Sequence, residues 1–148
     1  MDGVLADFDQ HFLDLYGTPA KEYEKKFGQV KFWELIYETP NFFLEMPPME
    51  YMNDILSACR TVTSRLVILS SPSKTNRPLC MMQKREWVNR HIGYNFPAIF
   101  ESDKHKYAGP GRLLIDDTKS KCDKWAEAGG DAYLYTNIDL FENFISTL

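Results

Sequence analysis

Short apolar runs bounded by turn residues recur along the last two thirds of the chain, at Leu66–Leu69, Ala98–Phe100, Leu113–Ile115 and Ala132–Tyr135. Runs of this length between turn residues predict buried strands. Between them the apolar spacing becomes helical. Met52, Ile55, Leu56 and Cys59 fall at i, i+3, i+4 and i+7, which predicts a helix after Pro47-Pro48. A second helix is predicted from Arg77-Pro78, where proline suits a first turn. Met81, Val88 and Ile92 share its apolar side, and Arg77, Lys84 and Arg85 read as its solvated side, with one of them within reach of a phosphate as the alternative. Cys122, Trp125 and Ala126 repeat the helical spacing, Gly129-Gly130 closes that segment, and Ile138 to Leu148 predicts a final helix. Strands alternating with helices predict an α/β fold with a largely parallel sheet covered on both faces.

The stretch from about Gln10 to Arg60 has a different texture. It is helix-like and strand-free, with breaks at Gly17-Thr18-Pro19, Gly28, Thr39-Pro40 and Pro47-Pro48. This predicts a small helical cap at 10–60 inserted after a first strand, leaving 1–9 and 61–148 as the α/β core. Aromatics make up 14% of the chain and crowd into its first third, including Phe8, Phe12, Tyr16, Phe32, Trp33, Phe42 and Phe43. Most such rings fill cores, while some line pockets for flat ligands such as a nucleobase.

Charge and length narrow the functional classes. A chain of 148 residues fits one domain with a small insertion. A net charge of −4 argues against a nucleic-acid polymer as partner, since that surface must be basic, but leaves room for a single nucleotide. Cys59, Cys80 and Cys122 are widely spaced and form no CxxC pair, which predicts reduced thiols and no zinc site. His11, His91 and His105 lack metal-ligand spacing. No apolar run approaches membrane-spanning length and no signal peptide is read, so the expectation is a cytoplasmic protein without a membrane partner.

Open α/β sheets bind ligands beyond the carboxyl ends of their strands. The residues at those positions are Ser70-Ser71-Pro72, Ser102-Asp103-Lys104 and Asp116-Asp117, with the less distinctive Thr136-Asn137 after the last run. A hydroxyl pair, a lysine and an acidic pair on one rim would supply a phosphate clamp and a cation site. Each has a plainer reading: serines before proline make turns, lysines are mostly surface charges and aspartates cap helices. Lys106, two residues beyond Lys104, is an alternative catalytic cation.

Met1-Asp2-Gly3-Val4-Leu5-Ala6-Asp7-Phe8 resembles the first motif of the haloacid dehalogenase superfamily, Asp-x-Asp-Gly-x-x-x-Asp in this branch. Leu69-Ser70-Ser71-Pro72, Ser102-Asp103-Lys104 and Leu113-Leu114-Ile115-Asp116-Asp117 resemble the second, third and fourth motifs, in order. The Asp-Gly-Val-Leu-Ala-Asp-Phe run, Lys31-Phe32-Trp33 and Leu-Leu-Ile-Asp-Asp are similar to the 5'(3')-deoxyribonucleotidases of phage and bacterial type in particular.

The resemblance implies a Rossmann-like sheet with a helical cap, Mg²⁺ as cofactor and a small-molecule nucleotide as substrate. Asp2 would be the general acid and present its carbonyl to the metal. Ser70 would bind a phosphoryl oxygen, with Ser71 beside it on the substrate. Lys104 would neutralise that oxygen and the attacking carboxylate. Asp117, with Asp116 beside it, would join Asp2 in holding Mg²⁺, while Phe8, Phe32 and Trp33 would wall the nucleoside. Asp7 has the plainer reading of a cap. The family's nucleophile is the first Asp of Asp-x-Asp, and Met1 stands at x. The expectation is therefore a phosphomonoesterase whose attacking Asp, with a central strand, precedes Met1. A nucleotide- or phosphate-binding module without turnover, and a phosphatase for another small phosphomonoester, are the alternatives. No seam for a homodimer is readable, although one is compatible with the sequence. Where the family's third motif often has Arg before Asp-Lys, this chain has Ser102.

Overall fold

The computed structural model describes residues Met1–Leu148. The order of elements is α1 (Phe8–Tyr16), α2 (Ala20–Glu38), α3 (Met52–Val62), β1 (Ile68–Ser70), α4 (Arg77–His91), β2 (Ala98–Phe100), a 3₁₀ turn (Lys104–Tyr107), β3 (Leu113–Asp116), α5 (Lys119–Glu127), β4 (Asp131–Leu134) and α6 (Ile138–Ile145). The four apolar runs are the four strands, displaced by a residue or two at their ends. The strands pair in parallel: β1 with β2, in register Ile68 to Ala98, and β3 with β4, in register Leu113 to Asp131. The fold is thus α/β with parallel connections made through helices.

The layer is not one continuous sheet. β1–β2 and β3–β4 form separate two-stranded sheets, because neither β1 nor β3 pairs along its second edge. The amino-terminal loop links the two strand ends. Lys84 joins Asp2 to Ser70 at the end of β1, and Gly3 lies against Asp117 just beyond β3. Gly3 has φ +76°, and a Cβ there would sit 1.9 Å from Asp117 Oδ2. Both the left-handed backbone and the close approach therefore require glycine after Asp2.

Helices α1 and α2 are held by aromatic packing. Asp7 caps α1 by accepting from the Gln10 amide at 3.1 Å, and α2 bends at Gly28, where the backbone leaves helical geometry. Phe12 stacks on Phe32 with centroids 5.3 Å apart and meets Tyr16 edge-on at 4.5 Å, and Phe8 meets Phe42 edge-on at 5.4 Å. Full burial of one such ring contributes about 1.5–3 kcal/mol, so the cluster outweighs the few polar bonds in this region. Helix α3 packs on α6, and α4 presents Cys80, Gln83, Lys84, Trp87 and Val88 to the interior. That stripe differs from the predicted one: Met81 and Ile92 are only partly buried, and two polar side chains lie on the inner face. The three cysteines are free and buried, and no helix is long and apolar enough to cross a membrane.

Candidate active site

The buried polar groups collect where β1 and β3 end. Ser70 is the last residue of β1 and is buried, and its neighbour on the chain, Ser71, begins the loop to α4. Lys84, two turns into α4, reaches back to this loop. Its Nζ donates to Asp2 Oδ2 at 2.9 Å, to Ser70 Oγ at 3.0 Å and to the Ser71 carbonyl at 2.9 Å. An ammonium has three N–H donors, so these partners occupy all of them. The side chain is 1% exposed and lies 5.2 Å from the centre of the Phe43 ring. The solvated face predicted for this lysine is therefore wrong. Its long stem crosses the interior because each N–H finds an oxygen there, which offsets part of the cost of burying the charge.

Arg77 and Arg85 go elsewhere. Arg85 donates to the Phe96 and Ala98 carbonyls at 2.6 and 3.2 Å, tying α4 to β2, and Arg77 remains exposed. A sequence signal for Lys84 existed: with Gln83 it falls on the helical stripe defined by Cys80, Trp87 and Val88.

At the end of β3, Lys104 Nζ donates to Asp116 Oδ2 at 2.5 Å, with the lysine 6% exposed. Asp116 Oδ1 accepts from the Thr118 amide at 3.0 Å, so both of its oxygens are engaged. Between the two candidate lysines of this segment, Lys104 points inward, while Lys106 is exposed and pairs with Glu101 and Asp103. Asp117, by contrast, is in no ion pair and accepts only from Thr118 Oγ1 at 3.3 Å. A third lysine, Lys121 on the first turn of α5, donates to Ser71 Oγ and is half-buried.

Charge balance separates the three aspartates. Burial works to raise the pKa of Asp2, but the charge and hydrogen bond of Lys84 prevail and hold it below the ordinary value. Asp116 is likewise lowered, Lys104 prevailing over burial. Asp117 is raised by burial, with the negative charge of Asp116 adding to it. Lys121 is lowered by burial and then by Lys104.

No group of three or more His, Cys, Asp and Glu side chains converges closely enough to hold a metal ion by itself. Mg²⁺ requires less, using one or two carboxylates and completing its shell with water. Asp2 Oδ1 is buried with no hydrogen-bond partner, and Asp117 is in no ion pair. These hard oxygen donors fit Mg²⁺ chemically, and Asp116 stands beside them as the anchor of Lys104.

The aromatic candidates separate as well. Phe32 is buried within the cap cluster, and Phe8 is partly buried against Phe12, Phe32 and Phe42. Trp33 lines a shallow groove together with Phe42, Phe43, Ser73, Asn76 and Gln83. Gln83 Oε1 accepts from the Phe43 amide at 3.1 Å and Trp87 donates to the Met46 carbonyl at 2.7 Å, so α4 fixes the turn that carries Phe42 and Phe43.

No protein-family profile matches the chain. It aligns with a protein of Bordetella pertussis provisionally named 5'(3')-deoxyribonucleotidase, 28% identical over 131 residues that cover 78% of this chain and 70% of that one. The human cytosolic 5'(3')-deoxyribonucleotidase is 25% identical over 135 residues, 79% of this chain and 67% of its own. The human mitochondrial protein of that name is 27% identical, covering 79% of this chain and 59% of its own length. By these alignments the chain is similar to proteins named 5'(3')-deoxyribonucleotidase.

Proposed function

We propose that this chain forms the phosphate site of a Mg²⁺-dependent phosphomonoesterase that hydrolyses (deoxy)nucleoside monophosphates through an aspartyl-phosphate. The names of its relatives support a hydrolase acting on nucleotides. The structural observation that carries the reading is the three-way bond of Lys84 to Asp2, Ser70 and Ser71, within electrostatic reach of the Lys104–Asp116 pair.

In this mechanism Lys84 orients rather than reacts. By donating to Ser70 Oγ it occupies a lone pair of that oxygen, leaving the hydroxyl hydrogen to be donated to a phosphoryl oxygen. Lys104, anchored by Asp116, neutralises a second oxygen. The attacking carboxylate belongs to an aspartate at the position before Met1, as the family pattern implies. It forms a bond to phosphorus as the bond to the ester oxygen breaks, and Asp2 delivers the proton that the leaving oxygen takes up. Water then attacks the phosphoenzyme, Asp2 accepts its proton, and phosphate and the free carboxylate are restored. Asp2 is held ionised by Lys84 before substrate arrives. The negative charge of a bound phosphate raises its proton affinity, so loading of the acid is coupled to binding. Asp117 is the carboxylate that would hold Mg²⁺, with the backbone carbonyl of Asp2 facing it, and the metal when bound supplies charge neutralisation on the phosphoryl oxygens. Trp33 and the groove beside it receive the nucleoside by stacking and desolvation, with Phe8 and Phe32 supporting that wall from within the cap.

The test is phosphate release from deoxynucleoside monophosphates by the protein carrying aspartate before Met1. Activity should disappear in EDTA and fall about 10²–10⁴-fold in Asp2→Asn, the range of general-acid contributions, with a smaller loss in Ser70→Ala. Unchanged turnover in Asp2→Asn would remove Asp2 from the acid–base role.

A further inference from the structure

We propose that Lys121, seated on Ser71, contacts the substrate phosphate directly and is the cation of this site without a carboxylate partner. The assignment rests on the phosphate-site reading above and adds a residue outside the four sequence motifs.

Lys84 has its three N–H groups on Asp2 Oδ2, Ser70 Oγ and the Ser71 carbonyl, so it meets an incoming anion only by releasing a partner. Lys104 gives one N–H to Asp116 at 2.5 Å and is buried, its charge already balanced by that carboxylate. Lys121 donates to Ser71 Oγ alone and has no carboxylate within ion-pair distance. Two of its donors therefore have no protein acceptor.

Its position is the right one. Ser71 follows Ser70 at the end of β1, and the same serine gives its carbonyl to Lys84 and its hydroxyl oxygen to Lys121. Lys121 interacts electrostatically with Lys104, Asp116, Lys84 and Asp2, which places it among the groups already described. A half-buried ammonium crowded by two other lysines and lacking a counter-ion is destabilised as it stands, and an arriving anion relieves that cost. Its neighbour Lys119 provides the contrast: 75% exposed, it is satisfied by Asp123 at 2.7 Å one turn along α5.

Two consequences follow for recognition. A phosphomonoester dianion gains from a further cation more than a phosphodiester monoanion does, so Lys121 favours monoesters. Its place on α5 also puts one phosphate contact on an element separate from α4 and the cap, so it acts on the phosphate whatever the base.

Calorimetric titration of inorganic phosphate into the protein carrying aspartate before Met1 tests this, with circular dichroism confirming the fold of each variant. Lys121→Met should weaken phosphate binding about 10- to 100-fold, as expected for loss of charge-assisted hydrogen bonds. Lys121→Arg should keep most of the affinity, and Lys119→Met should match the wild type. Ser71→Ala, which removes the seat along with the Ser71 hydroxyl, should give an intermediate loss and provides a second measure should Lys121→Met lose its fold. Wild-type affinity in Lys121→Met or in Ser71→Ala overturns the assignment while leaving the phosphate site in place. Absence of phosphate binding by the wild type overturns the phosphate-site reading, and this assignment with it.

Discussion

The strand-end site and the aromatic cap are organised by opposite physics. At the strand ends almost every buried polar atom has a named partner: Lys84 on three oxygens, Lys104 on Asp116, and Asp116 on Thr118. In the cap the order comes from ring on ring, Phe12 against Phe32 and Tyr16, Phe42 against Phe8 and Phe43, with few directed bonds. Directed bonds hold atoms to a fraction of an ångström, as in-line phosphoryl transfer requires. Ring packing tolerates exchange of side chains of similar volume. Under the proposed function the strand ends would carry the chemistry and the aromatic region the selectivity, and α4 joins them by carrying Lys84 on one turn and Gln83 and Trp87, which bond the turn at Phe43 and Met46, beside it.

The sharpest way to break this comparison is Lys84→Met. Removing one partner of a buried charged network typically costs about 3–5 kcal/mol, and here it strands Asp2 and Ser70 together. Urea denaturation should show a loss of that order, and phosphate release should fall with it. A variant as stable as the wild type would mean that the network is dispensable.

A smaller effect is expected from the cap. Trp33→Ala should raise KM for nucleotides about tenfold, the scale of one lost base-stacking contact, with kcat little changed and a minimal aryl phosphate hardly affected. Equal effects on both substrates would place Trp33 in cap packing alone.

The smallest expected effect is on acid stability, and it belongs to the strand ends. Asp2 and Asp116 have pKa values below their ordinary ones, so between the folded and unfolded values the unfolded chain binds more protons. Their contribution is present above the unfolded value of about 3.9 and disappears as pH falls through the folded values beneath it. Asp117 is raised and acts in the opposite sense, favouring the fold at low pH and losing that contribution as pH rises through its folded value. Urea midpoints followed downward from pH 5 should decline, and Asp116→Asn should decline less steeply. Equal slopes would remove the Lys104–Asp116 pair from the acid response.

Much of this was legible in the chain itself. Strands appear as apolar runs because they are at least partly covered, β1 and β3 the most, and their polar terminators mark Ser70, Lys104 and Asp116-Asp117 without any structure. Gly3 was visible as part of a motif, although the reason for it, the approach of Asp117, is a contact across the whole chain. Lys84 was hidden because a helical lysine reads as solvated unless the apolar stripe is placed correctly, and Met81, Val88 and Ile92 define a stripe rotated away from the true one. Lys121 sits among Lys119 and Lys124 in a polar segment, and only the fold distinguishes the lysine that meets Ser71 from its neighbours. The separation of β1 from β3 depends on edge pairing, which short apolar runs do not encode.

The most direct test is a crystal structure of this protein with a deoxynucleoside monophosphate and Mg²⁺. The phosphate should lie at the ends of β1 and β3, within hydrogen-bond distance of Ser70 Oγ and beside Lys104, with the base against Trp33. A nucleotide bound elsewhere, leaving Ser70 and Lys104 without a phosphate contact, would contradict the account.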